Sequence, residues 1–228
     1  MKLNAIIAFL CLQYSCLCLG GPHDWINNDD GPDFEFAGPP EYLLKAFGVA
    51  SYPKILKDHP EEYRIFYSPP FSSPILVIIT VKQDKTCTLT LLRLSGPGGY
   101  PDDLGKIDYA DTTKLNVEEK RGLLSKLRKD EVYDAMNGLT EMQVMFLESM
   151  DGNSTIIERV VEGKHSACRV SSPRYLAQEL EGLIENQGLT VYSKIDLEPF
   201  VDAFDAVCKS AGLEFNSAYG EVTIKKEH

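Results

Sequence analysis

The apolar positions of this chain change period twice, and each change marks a change of element. From Tyr63 the spacing is that of strands. Tyr63-Arg64-Ile65-Phe66-Tyr67 stops at Ser68-Pro69-Pro70. Ile75 to Val81 is a run rich in β-branched residues, and Cys87 to Leu94 begins by alternating apolar with polar, as a half-buried strand does. Joined by the turn Gln83-Asp84-Lys85, these two runs predict an antiparallel hairpin. Lys106 to Leu115 supplies a further strand after a Gly-rich turn.

At Asn116 the period becomes helical. Asn116 is a capping residue with Glu119 three places on, and Leu123, Leu124 and Leu127 form an apolar stripe. This predicts a helix over 117–136, interrupted near Asp130. Strand spacing then returns. Gln143–Glu148, Ser154–Val161 and His165–Val170, separated by the turns Asp151-Gly152-Asn153 and Glu162-Gly163-Lys164, predict a three-stranded meander. Ser172-Pro173 opens a helix with Tyr175, Leu176, Leu180, Leu183 and Ile184 on one face, ending at Gly188. Asp196 or Leu197 starts another, with Phe200, Val201, Phe204, Val207 and Cys208 inward and Gly212 as its stop. Glu221–Lys226 reads as a short edge strand. The sum is α+β: antiparallel β-meanders with two to four helices packed on one face.

The first residues do not belong to that pattern. Lys2, the apolar run Ala5–Leu12 and the small residues up to Gly20 have the three regions of a secretory signal peptide, and the run is too short to span a bilayer. Residues 1–20 are therefore expected to be a signal peptide, cleaved after Gly20. Residues 21–40, rich in Gly, Pro and Asp, read as a flexible linker, with a possible short helix over Glu41–Phe47 opening a single α+β domain at 41–228. The alternative is a lipid anchor on Cys16 or Cys18, which would make the protein an envelope scaffold. The expected location is the periplasm or the extracellular space.

Cleavage changes two other readings. It removes Lys2, so the mature chain is one unit more negative than the −11 of the whole. That excess argues against nucleic acid and against anionic membrane surfaces, and suits a basic protein partner. It also removes Cys11, Cys16 and Cys18 from the six cysteines, leaving Cys87, Cys168 and Cys208. Three thiols allow one bridge. Cys168 with Cys208 is the expected pair, since both flank the same helix. No two of the three have zinc-finger spacing, so no metal is expected.

Candidate chemistry is sparse. Ser95-Gly96-Pro97-Gly98-Gly99-Tyr100 is the densest glycine cluster, but it lacks the Lys-Ser/Thr ending of a P-loop and the spacing of a dinucleotide fingerprint. It reads as a tight connection, with no nucleotide and no other cofactor expected. His165 is the histidine that falls inside the predicted fold; Cys168, three residues on, would face the opposite side of a strand, against a Cys–His dyad. Arg159, Arg169 and Arg174 gather around the meander and the helix after it, and arginine suits carboxylate recognition. With 34 acids in the chain, pairing with a local Asp or Glu is the plainer expectation for each arginine. His165, the three arginines and Tyr100 form the candidate binding set. Asn153-Ser154-Thr155 is a glycosylation sequon, relevant in a eukaryotic secretory pathway.

From about Tyr63 to Leu213 the chain resembles a group of bacterial exported proteins without an assigned activity. The resemblance rests on Tyr63-Arg64, Gly98-Gly99-Tyr100, the helix from Val117, Asp151-Gly152, His165 with Arg169 and Ser172-Pro173, and Cys208. The chain departs from that pattern by one extra residue before Ser172-Pro173. It also has no tryptophan in the stretch, its one tryptophan being Trp25. The resemblance implies export and fold. With no catalytic motif in the sequence, the expected function is a non-catalytic exported binding protein, in its sharpest form a periplasmic inhibitor or immunity protein for a toxin or hydrolase. The rivals are an envelope hydrolase using His165 or a carboxylate pair, and the lipid-anchored scaffold.

Overall fold

A computed structural model describes residues 38–50, 61–69, 72–96, 104–137, 139, 147, 153–187, 192, 195–216 and 221–225. Contacts divide the chain into Met1–Phe34 and Glu35–His228, and the described residues all lie in the second unit. The expected signal peptide, the residues before 38 in the linker, and Tyr100 lie outside the described residues.

The centre of the protein is a six-stranded antiparallel sheet. In chain order its strands are β1 (Glu61–Ser68), β2 (Ile75–Val81), β3 (Cys87–Leu94), β4 (Ile107–Lys114), β5 (Ser154–Val161) and β6 (Lys164–Ser171). Across the sheet they run β4-β3-β2-β1-β5-β6. The β2–β3 hairpin forms as its alternation predicts, pairing Ile75 with Arg93 and Val81 with Cys87. The turn of β5–β6 places Glu162 at φ 51° and Gly163 at φ 77°, the double left-handed geometry of a two-residue hairpin loop. The mate of β5 on its other side is β1, with Ile65 opposite Ile157. The expected strand Gln143–Glu148 lies outside the described residues except for Leu147, which is helical and buried. The three-stranded meander over 143–170 is therefore corrected: β5 pairs with β6, but its other partner is β1, about 90 residues back, and not residues 143–148, a preference that local periodicity does not encode.

Register gives the sheet two distinct faces. Tyr63, Ile65, Val77, Ile79, Leu89, Leu91, Ile157, Cys168 and Val170 share the main core with four helices. These are α2 (Val117–Leu127), α3 (Glu131–Asp134), α4 (Pro173–Gln187) and α5 (Glu198–Ala211). The Asn116 side chain accepts from the Glu118 and Glu119 N–H groups while Glu119 returns a bond to the Asn116 N–H, so the capping box starts α2 as the sequence predicts. The apolar stripe of α5 buries Phe200, Phe204, Val207 and Cys208, and Gly212 stops it at φ 68°. Val201, expected inward, is only half-buried. After α5, β7 (Leu213–Asn216) and β8 (Glu221–Ile224) pair as a separate two-stranded sheet.

The opposite face carries the short helix α1 (Glu41–Phe47). Leu43 and Phe47 pack on Phe66, Leu76, Leu94 and Ile156, with the Phe47 and Phe66 rings edge-on at 6.2 Å. The α+β class stands, with helices packed at the sheet. The residue-wise pattern did not assign α1 to the second face, because a seven-residue helix carries too few turns to declare which side it serves. Among the described residues, no helix is long and apolar enough to cross a membrane.

Candidate functional site

Strand alternation brings some of the expected residues together and separates others. On the face served by α1, His165 and Arg169 lie on β6 beside Glu158 of β5 and Arg64 and Glu62 of β1. His165 Nε2 is 3.4 Å from Glu158 Oε1; the imidazole is 43% exposed and the carboxylate only 4%. Glu158 Oε2 is buried and has no hydrogen-bond partner among the described residues. Arg64 is 2% exposed. It donates from Nε to Glu62 Oε1 at 3.0 Å and from Nη1 to the Ala50 carbonyl at 2.6 Å, which ties the segment after α1 to the sheet. Gly38 passes over the same carboxylate, its Cβ direction ending 3.5 Å from Glu158 Oε1. Burial pushes the Tyr42 phenol of α1 up, partly offset by the charge of Arg169.

Arg159 is on a neighbouring strand but on the other face. It pairs with Asp130, donates to the Arg128 carbonyl at 3.1 Å, and stacks 4.1 Å from the Tyr133 ring centre. Arg174 binds Asp205 of α5 from Nε and Nη2 at 2.8 and 2.6 Å and lies 4.5 Å over the Phe215 ring. Both therefore clamp helices. The expected set of His165, Arg159, Arg169 and Arg174 is split: His165 and Arg169 share one face of β6 four residues apart, while Arg159 and Arg174 each hold a helix through an acid.

Cys87, Cys168 and Cys208 are buried free thiols, so the expected Cys168–Cys208 bridge is not formed. Cys168 sits opposite Ile157 on β6. Cys208 lines an apolar void with Ile65, Tyr67, Ile75 and Val77 of β1 and β2. Strand β5 stands between β1 and β6. Cys168 and Cys208 thus lie against different strands of the sheet. Burial pushes the Cys168 thiol up to about 12 and raises Cys208 further. Cys168 and His165 occupy opposite faces, as their odd spacing predicts.

The adjacent acids Glu61 and Glu62 serve different faces. Glu62 holds Arg64. Glu61 receives two bonds from Arg128, Nε to Oε1 at 2.8 Å and Nη2 to Oε2 at 2.7 Å, and a third from the Tyr63 hydroxyl. Glu158 also went unnoticed; its one sequence signal is an acid that directly follows the apolar pair Ile156-Ile157 within a strand.

Among the described residues, two surfaces remain open. Beyond the cluster under α1, the sheet face of β3 and β4 carries no described helix. Ile78 and Leu92 border it half-buried, and Thr90, Ala110 and Thr112 continue it outward, with Thr90 and Thr112 hydroxyls 3.1 Å apart. This face ends at β4, the sheet edge, where Ile107 is 42% exposed. The second surface is a cleft of about 320 Å³ between α4 and the start of α5. Among the described residues, no group of three His, Cys, Asp or Glu side chains could hold a metal ion. No known protein family, curated protein or solved structure matches this chain.

Proposed function

We propose that this chain is a non-catalytic exported binding protein, whose sharpest form is an inhibitor or immunity protein for a basic toxin or hydrolase in the periplasm. One observation carries the reading: among the described residues, the face of β3 and β4 is covered by no helix and is continuous with the edge of β4, which pairs with no further strand. A sheet edge offers unpaired backbone groups to an incoming strand, and the adjoining flat face of threonine, alanine and half-buried aliphatic side chains offers it something to rest on. The excess of acids favours a basic partner and speeds its encounter. Export rests on the signal-like first twenty residues, and kinship with the exported bacterial group rests on the same short motifs quoted above. Affinity capture from a bacterial envelope extract at low salt tests the reading. Wild type should retain a basic protein that a Thr112→Arg variant loses; recovery of no protein partner contradicts it.

A hydrolase is the second reading, favoured by the His165–Glu158 pair. A buried carboxylate beside an exposed imidazole can orient it as a general base for water. That reading requires ester or peptide turnover that disappears in His165→Ala.

A further inference from the structure

The cleft between α4 and α5 combines two chemistries that suit one kind of group. Its floor is apolar: Leu180 of α4, with Ile195, Leu197 and Val201 from the start of α5. Leu180 and Leu197 are buried, whereas Ile195 and Val201 stay half-exposed in the cleft, which is why Val201 left the apolar stripe of α5. Its rim is acidic: Asp196, Glu198 and Asp202. Asp196 Oδ1 accepts the Glu198 N–H at 3.0 Å, which fixes the rim at the helix start. Asp202 already holds the ammonium of Lys126.

An aliphatic ligand would make no use of the exposed Asp196 and Glu198 carboxylates, and an anion would be repelled by them. A long cation does neither, since lysine and arginine lay an apolar stem along a surface while the charged head reaches water or an acid. Lys126 makes that contact to the rim from within the chain. We infer that this cleft is a docking site for a lysine or arginine side chain presented by a partner protein, flanked on the partner by an apolar residue that rests on Ile195 and Val201. The volume of about 320 Å³ has room for one such side chain and part of a neighbour, not for a helix. The site is independent of the open face of β3 and β4 and stands whether or not that face binds a partner.

The test is an NMR titration of the ¹⁵N-labelled folded protein with N-acetyl-Leu-Arg-Leu-amide, and with the same peptide carrying citrulline, which keeps the shape and loses the charge. The arginine peptide should shift the amides of Ala177, Leu180, Ile195 and Val201, and bind at least about tenfold more tightly than the citrulline peptide. An Asp196→Asn, Glu198→Gln variant should also bind it about tenfold more weakly; asparagine can still accept the Glu198 N–H, so the helix start is preserved. Val201→Arg, which supplies the cation from within, should abolish binding without loss of fold. Equal affinity for the two peptides, or shifts spread over the acidic surface outside the cleft, overturns the inference. In the envelope capture, a partner retained equally by wild type and the Asp196→Asn, Glu198→Gln variant keeps the binding-protein reading and removes the cleft from it; recovery of no partner removes that reading and leaves the peptide result to judge the cleft.

Discussion

Arg128 and Glu61, 67 residues apart in sequence, face each other through two parallel hydrogen bonds of 2.8 and 2.7 Å. The pair joins the end of α2 to the first residue of β1, at the centre of the sheet. Burial pushes the Glu61 carboxyl up, but the hydrogen bonds from Arg128 and Tyr63 and the charge of Arg128 more than reverse that, holding it below the ordinary carboxylate value. A carboxyl depressed by folding stabilises fully above its unfolded value, about 4.3, and that stability is lost as pH falls through the folded value. Urea unfolding at pH 7 and pH 3 should therefore show wild type ahead of Glu61→Gln at pH 7 and the gap narrowing at pH 3. A gap that stays constant contradicts the pairing.

Arg64 is more deeply committed. Removing it takes from the buried Glu62 carboxylate its guanidinium partner at 3.0 Å and releases the Ala50 carbonyl. Arg64→Ala should lose about 3–5 kcal/mol in denaturant unfolding, the cost of breaking a buried ion pair by removing one partner. A loss below about 1 kcal/mol would mean that water replaces the guanidinium at little cost.

The buried thiols should be inert. At neutral pH Cys168, held near 12, is fully protonated, and Cys87 and Cys208 are also raised by burial. Iodoacetamide followed by peptide mapping should leave all three unmodified in the native protein and label all three once it is unfolded. A peptide linked through Cys168 and Cys208 would refute the assignment of separate thiols.

Gly105 guards the β3–β4 connection. Its N–H donates to the Ser95 carbonyl at 2.7 Å, and a Cβ there would lie 2.6 Å from that same oxygen and 2.0 Å from the Ser95 hydroxyl. Gly105→Ala must displace backbone, and should cost about 1–3 kcal/mol, with the loss of protection beginning in β4. Wild-type stability in the variant would contradict so close an approach.

What could be read from the sequence is what depends on neighbours in the chain. The β2–β3 hairpin, the α2 capping box, the Glu162-Gly163 turn and the Gly212 stop each rest on a few consecutive residues, and each appears where the pattern puts it. Relationships between distant segments were not legible. β5 finds β1, not residues 143–148; Arg159 and Arg169 occupy adjacent strands yet opposite faces; Cys168 and Cys208 flank one helix but sit under different parts of the sheet. The face of a residue follows from its strand's parity, which the sequence states, but the partner across that face follows from register and strand order, which it does not. Glu61 and Glu62 make the point in two residues: they are adjacent in the chain, and alternation sends them to Arg128 and Arg64 on opposite sides.

The central claim is that the β4 edge and its adjoining face receive a partner. Amide hydrogen exchange of the protein, alone and with the basic protein recovered by capture, tests it most directly. Slowed exchange is expected along Ile107–Lys114, with the opposite edge, Lys164–Ser171, unchanged. Unaltered exchange in Ile107–Lys114 in a saturated complex would contradict it.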